Sequence, residues 1–566
     1  MRAVLLLLAI WAALSLPVSL PPHPARLFTA PYLGFALEAG LALAAIALWR
    51  WAGWPWGKAL RLGLALVLTA LAVLQAMGLA ALAVTARPLN LLVDVTLIPA
   101  LFDVLAGSLG WGRTILAAGG VALAVAVVML AARWLLGQAD RLLRQPRGRA
   151  AFGVLCAIAL LIYAAEGLSP ASFGPWRPVT DHAARAVAAQ GRVLAETLDR
   201  HDAFRQAAAD DPFFPERAAR GLLGRLGGAD VLVIFVESYG TVALDDPGIA
   251  PEIRPRLERF AEAAAAAGVG QVSGRLVSPT VGGRSWLAHA TLLSGLRVDD
   301  QILYGLLLAG ERRTLVHAFG GAGYRTVAAM PAITKPWPEG ESMAFDAIHP
   351  AAGMGYRGPL WYWGTVPDQF ALAFLERRER SAPDRPPLFA VAALISSHAP
   401  WTPVPGVIGW EALGDGEAFH AFIGNGEAPE TVWRSPGKIR AYYARSVGYS
   451  IDALAAWAVR FIDDGTLAVV VGDHQPAPVV TGPRAPPTVP IHVLSGDPAL
   501  LEPFRGWGFE PGMVPKGGEP RPMADFRDFL LDAFSAPRSA SETALPSGAG
   551  PTVAQGYALT PAARRP

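Results

Sequence analysis

The chain has 566 residues, enough for several domains, and 53% of them are hydrophobic, with most of the excess before residue 170. A formal net charge of only +2 gives no broad basic surface and argues against nucleic acid as a partner. The single cysteine, Cys156, lies in the apolar stretch 153–163, where it can form neither an internal disulfide nor a thiolate metal site. Any exported domain must therefore be held by its core alone.

In chain order, residues 3–20 come first: an apolar run preceded only by Arg2 and lacking a small-x-small cleavage site, which reads as an uncleaved first span. Stretches 32–48, 59–84, 114–136 and 151–164 follow, the last the shortest, against a requirement of about 20 apolar residues to cross the bilayer. Segment 88–110 carries Asn90, Asp94, Asp103 and Pro99, so it reads as an interfacial or re-entrant helix rather than a span. Arginine and lysine are richest in the second loop (Arg50, Lys58, Arg61) and the fourth (Arg133, Arg141, Arg144, Arg147, Arg149). By the positive-inside rule this alternation favours five spans, with everything after Gly167 outside. The expectation is a transmembrane domain over 1–168, set among the lipids of a bacterial-type inner membrane, with a periplasmic domain beyond it.

Residues 169–228 turn to Ala, Arg and Asp, with a helical stretch at 183–198, and read as a connector lying over the membrane or over the domain. From 229 to 534 the pattern is α/β. Val231–Val236 is too short for a helix and rich in branched residues, as a buried parallel strand requires. Further strands are predicted at 325–329, 388–394, 467–471 and 490–494, and helices at 254–267, 287–293, 366–378, 439–462 and 523–534. This alternation implies a sheet flanked by helices. The tail 535–566 is small, polar and proline-containing, and is expected to be disordered.

Two strand ends and one helix start carry the chemistry. Val469-Val-Val-Gly-Asp473-His474 delivers a carboxylate and an imidazole into a loop, a donor pair suited to Zn²⁺ or Mn²⁺, although such a pair also serves as a capped turn. The first strand ends in Glu237-Ser-Tyr-Gly240, offering a second carboxylate or a capping residue. A nucleophile beside a cation is best supplied by Ser285, which follows Gly282 and Gly283 and opens a helix whose N-terminus favours an anion. Ser285 can equally be an N-cap, and Ser278 and Thr280 are its competitors. His289 and His492 read as buried histidines, Asp368 as a helix-dipole partner, Asp452 as a structural hydrogen-bonding residue, and Trp361-Tyr-Trp363 as a lipid or sugar cleft or simple packing.

Taken together, Glu237-Ser, Ser285 nine positions before Ser294-Gly295, and Gly-Asp473-His474 resemble the alkaline phosphatase and sulfatase superfamily over about residues 229–500. Within it, the membrane-anchored lipoteichoic acid synthases and phosphoethanolamine transferases share this architecture. The resemblance implies a sulfatase-like α/β fold, with Glu237, Ser285, Asp473 and His474 as metal ligands and Ser285 as the nucleophile. It further implies that His398, in Ile395-Ser-Ser-His398-Ala-Pro400, contacts the transferred phosphate or protonates the leaving group. Trp337 would correspond to a head-group-binding tryptophan, but the arginine expected just after it is missing. The formylglycine signature Cys-x-Pro-Ser-Arg is also absent, since the chain reads Ser285-Trp-Leu-Ala-His289, and related synthases use Thr where this chain has Ser285.

The function expected from this resemblance is a metal-dependent transferase. It would move phosphoglycerol or phosphoethanolamine from a phospholipid donor onto an envelope glycan or lipid acceptor through a covalent Ser285 intermediate. A phosphodiesterase, a sulfuric ester hydrolase or a catalytically inactive binding module are the alternatives.

Overall fold

The computed structural model describes residues 2–21, 34–55, 57–85, 88–168, 177–214, 221–482 and 485–535. The expected tail, from 536 onward, lies outside the described residues, as do Arg26 and Arg87.

The N-terminal region is a bundle of helices: α1 (Arg2–Ser15), α2 (Leu37–Trp51), α3 (Gly57–Thr85), α4 (Ile98–Leu109), α5 (Trp111–Leu143) and α6 (Pro146–Leu168). Among the described residues, three helices are long and apolar enough to cross a membrane: Gly57–Ala83, Trp111–Leu143 and Pro146–Leu168. α1 and α2 have 14 and 15 residues, and pack through Leu7, Trp11, Leu43 and Ile46 into the bundle's core. The last span, expected to be the shortest, is 23 residues long because helix extends beyond 151–164 at both ends, through Pro146–Ala150 and to Leu168. Pro99 does not interrupt segment 88–110; it occupies the first turn of α4, where its missing N–H costs nothing.

Asp140 fixes one end of the bundle, accepting from Arg50 (Nε to Oδ1, 2.5 Å) and Arg61 (Nη1 to Oδ2, 2.9 Å), with Arg144 at 3.6 Å. The arginine-rich second and fourth loops thus meet at the same end. At the other end a two-residue parallel ladder joins Phe35–Ala36 to Val179–Thr180. Beyond it, α7 (His182–Ala209) leads to the α/β domain.

That domain is built on a nine-stranded sheet: β1 (Asp230–Val236), β2 (Gly270–Val277), β3 (Arg325–Met330), β4 (Ala347–Pro350), β5 (Leu388–Leu394), β6 (Thr466–Gly472), β7 (Thr488–Ser495), β8 (Glu510–Pro511) and β9 (Arg521–Pro522). Its order is β8-β2-β7-β6-β1-β5-β3-β4, with β9 also beside β2. Every β1 residue is buried, as the centre of a sheet covered on both faces demands. Its alternate side chains divide the core. Leu232, Ile234 and Val236 pack toward α8 (Ala250–Ala266) and α12 (Pro436–Phe461), whereas Val231, Val233 and Phe235 pack toward α9 (Ser285–Ser294) and α13 (Asp525–Phe534). α10 (Gln301–Ala309) and α11 (Asp368–Leu375) complete the helices that bear on the site.

β1 pairs in parallel with β6 and β5, matching Val236 to Gly472 and to Leu394. The three strands therefore end level, and the residues that follow emerge at one edge. β2, a strand the sequence pattern did not reveal, runs antiparallel to β7 and brings the chain to the loop 278–284 at that same edge.

Candidate active site

Glu237 leaves β1 at this edge, and the next residue, Ser238, takes a left-handed φ of 55°. This turn lets the Ser238 amide donate to Asp473 Oδ1 (2.8 Å) and its hydroxyl donate to Glu237 Oε1 (2.8 Å). The Tyr443 hydroxyl donates to the Ser238 carbonyl (2.9 Å), locking the turn from α12. Gly472 allows the close approach: a Cβ there would lie 1.9 Å from the Tyr239 carbonyl oxygen. Asp473 Oδ1 also accepts from the His474 amide at 2.6 Å. His474 Nδ1 donates to the Gln475 carbonyl (2.8 Å), which leaves Nε2 facing the carboxylates.

Ser285 is the first residue of α9. Arg284, not Ser285, holds the N-cap position, with a left-handed φ of 65°, after Gly282 and Gly283 at 73° and 133°. The Ser285 hydroxyl is therefore not a cap: its Oγ donates to Glu237 Oε2 (2.9 Å) and lies 3.2 Å from His474 Nε2. Its competitors are engaged elsewhere, Ser278 with the Asp473 carbonyl (2.6 Å) and Thr280 with the Gly283 carbonyl (2.5 Å). A bond from the Gly282 amide to the Gln475 carbonyl (2.8 Å) ties the glycine turn to the Asp-His loop.

Ligand atoms of Glu237, Asp473 and His474 lie within 4.8 Å of one another, and all three residues are buried. The charges do not balance, because two carboxylates face one imidazole. Burial and the Glu237 charge push Asp473 up to about 8. Burial opposes charge on His474 as well, but Asp473 and Glu237 outweigh it and carry the imidazole up to about 9. Burial also works against Glu237, yet the His474 charge holds it well below the usual carboxylate range. A divalent cation fits this donor set, two hard carboxylates, one imidazole and a hydroxyl, and would supply the missing positive charge.

His398 stands on the loop after β5. Its Nδ1 donates to the Ala399 carbonyl (2.6 Å), its ring is exposed, and its charge acts on Glu237. Sequence reasoning missed what holds this loop. Asp368 lies in the first turn of α11, as a helix-dipole partner should, and it does more: its buried Oδ1 accepts from the Ile395 and Ser396 amides (2.9 and 2.8 Å), and Oδ2 accepts from Ser450 Oγ (2.6 Å). Ser397 completes the link by donating to the Glu237 carbonyl at 2.5 Å.

The remaining candidates fall elsewhere. Trp337 is half-buried, with its ring over Gly340 and against the apolar cluster that includes Phe345 and Ile348. His289 packs against Phe235 with ring centroids 4.0 Å apart and the rings tilted by 34°, but its buried Nε2 finds no hydrogen-bond partner among the described residues. His492 is enclosed in the sheet between Ser273 (2.8 Å) and Tyr239 (3.1 Å). Trp361 and Trp363 stack on each other at 5.1 Å and are buried, which is the packing alternative. Asp452 pairs with Arg256.

No family model and no curated protein matches the chain. Among solved structures the chain is similar to the lipoteichoic acid synthase LtaP from Listeria monocytogenes, at 12% identity over 54% of this chain and 76% of that one, with a TM-score of 0.33. It is also similar to a protein in the alkaline phosphatase superfamily from Vibrio parahaemolyticus (14%, 59% and 74%, TM-score 0.35). A third likeness is to the C-terminal periplasmic domain of EcEptC from Escherichia coli in complex with Zn (13%, 50% and 76%, TM-score 0.33). These likenesses are distant, and the reading of the site rests on its own geometry.

Proposed function

We propose that this protein is a metal-dependent phosphotransferase acting on phospholipid head groups, with Ser285 as its nucleophile. The observation that carries the reading is the Ser285 hydroxyl, aimed from the first turn of α9 at Glu237 and His474 (2.9 and 3.2 Å) rather than capping its own helix. Glu237, Asp473, His474 and Ser285 would hold the cation, Zn²⁺ or Mn²⁺, which when bound lowers the hydroxyl's pKa and neutralises phosphoryl oxygens.

The chain's own groups do the rest. Ser285 Oγ attacks the phosphorus of a phosphodiester; the Oγ–P bond forms as the bond from phosphorus to the lipid alkoxide breaks, and α9 presents its N-terminus to the phosphoryl oxygens. His398, with its Nδ1 N–H held by the Ala399 carbonyl and a second proton on Nε2, would give the Nε2 proton to the departing alkoxide, releasing diacylglycerol from a phosphatidyl donor. An acceptor hydroxyl on an envelope glycan or lipid then displaces Ser285 from phosphorus. Trp337 is carried as a head-group contact on the sequence resemblance alone.

Intact-protein mass spectrometry after incubation with phosphatidylglycerol or phosphatidylethanolamine tests the reading. A phosphoglycerol or phosphoethanolamine adduct on Ser285 is expected, and Ser285→Ala should lose on the order of 10⁴-fold or more of turnover. An active Ser285→Ala protein with no adduct overturns it. Product analysis with and without glycan acceptor separates transfer from hydrolysis, and a purified protein without stoichiometric Zn or Mn favours a binding module.

A further inference from the structure

α7 has three faces rather than two. One packs inward through Thr197, His201 and Phe204. A second carries Arg185, Arg192, Glu196 and Asp199. The third is apolar and, among the described residues, exposed: Val187, Gly191, Leu194, Ala195 and Leu198 recur at the spacing of one helical face, with Val187, Leu194 and Leu198 exposed at 48%, 44% and 50%. Among the described residues, none of the active-site groups lies on this stripe.

The contacts of α7 say how it lies. Near its start Asp181 accepts from the Tyr163 hydroxyl of α6 (2.8 Å), and the Ala184 amide donates to Glu38 at the start of α2 (2.6 Å). Farther along, Gln190 bonds to the Leu89 carbonyl (2.7 Å) and the Leu91 amide (3.2 Å), and Asn90 Nδ2 donates to Thr197 Oγ1 (2.9 Å). Between Ala184 and Thr197 a helix advances roughly 20 Å. Over that distance α7 stays in contact with the same end of the bundle, so it lies across that end and does not project from it. The segment it crosses is also apolar outward, with Leu92, Val95 and Ile98 exposed.

We propose that α7 is an interfacial helix, its Val187-Leu194-Leu198 stripe embedded in the bilayer surface on the side of the α/β domain. The occupant is lipid because α7 is bonded, through Tyr163 and Asp181, to the far end of α6, a helix long and apolar enough to cross a membrane. The far end of α7 reaches the site: Arg200 donates to Asp299 Oδ1 (3.0 Å), and Arg284 donates to the Asp299 carbonyl (3.3 Å). Trp286 donates to Gln301 at 3.0 Å. The helix thereby sets the height of the Ser285 loop over the bilayer. This consequence for catalysis rests on the function proposed above, whereas the seating does not.

The test uses the full chain with Cys156→Ala, and single labels introduced through Val187→Cys, Leu194→Cys, Leu198→Cys, and, on the polar face, Arg192→Cys and Glu196→Cys. Each carries a bimane fluorophore and is reconstituted into phosphatidylglycerol and phosphatidylethanolamine vesicles with brominated acyl chains. Bromolipid should quench the three stripe labels roughly twofold or more beyond the polar-face labels, with aqueous iodide showing the opposite order. Equal quenching on both faces overturns the proposal. So does a stripe shielded from both quenchers, which would place a protein surface there. Neither readout depends on enzymatic activity, so an inactive Ser285 would leave this result standing.

Discussion

β1 carries a buried acidic cluster at each end, and the two differ in one respect. At its start, Asp230 accepts from Arg380 (3.0 Å), Arg385 (2.8 Å) and the Leu388 amide (2.8 Å), while Glu376 accepts from Arg380 (2.9 Å) and Trp457 (2.7 Å). Two buried carboxylates meet two guanidinium groups there and the buried charges close, with the exposed Asp463 4.0 Å from Arg380 at the rim. At its finish, Glu237 and Asp473 meet one imidazole and do not close. A balanced buried cluster can be purely structural, whereas an unbalanced one requires a proton or a cation, and only the second kind is suited to chemistry.

Substitution at each end should separate them. Asp473→Asn is expected to take bound Zn or Mn below one ion per chain and to lower turnover on the order of 10² to 10³-fold, read by metal analysis and kinetics. Asp230→Asn should leave metal content unchanged but cost about 3–5 kcal/mol, because Arg380 and Arg385 lose a buried partner; thermal unfolding checks it. Loss of metal from the Asp230 variant would break the comparison.

A smaller effect separates the ends by pH. Asp473 and His474 are raised to about 8 and about 9, so in chelated protein the stability they contribute is held by their protonated forms. For Asp473 that contribution is complete below about 4 and is lost as pH climbs toward 8; for His474 it is complete below about 6.5 and lost toward 9. Metal requires both groups deprotonated. The rise in Tm on adding metal should therefore widen between pH 7 and 9, and a constant increment would contradict the assignment. The smallest change is expected at His289, whose buried Nε2 has no partner among the described residues: His289→Leu should alter stability by about 1 kcal/mol or less, measured by denaturant unfolding.

What could be read from the sequence follows the same division. The gathering of Glu237, Asp473 and His474 was legible because Glu237 and the Asp473-His474 pair each follow a branched apolar strand, and those two strands end level. Ser285 was legible from its glycines. Strand β2 was not, since Gly270, Ser273, Gly274 and Arg275 dilute its alternation and its burial comes from β7. Nor was the role of Asp368, which bonds to backbone amides 27 and 28 residues away that no side-chain pattern announces. In the bundle, apolar runs marked the helices, but their ends were set by contacts such as Asp140 with Arg50.

The pairing of Asp211 with Arg527 bears on how this protein could be dissected. Arg527 is fully buried, Arg312 nearly so, and Asp211 reaches both, at 2.7 and 3.7 Å, while Phe213 sits in the same core as β1. A soluble fragment cut at residue 229 would strip a counter-ion and an aromatic from a finished interior. One that begins before Arg200 would keep both, together with the grip of Arg200 on the turn at Asp299.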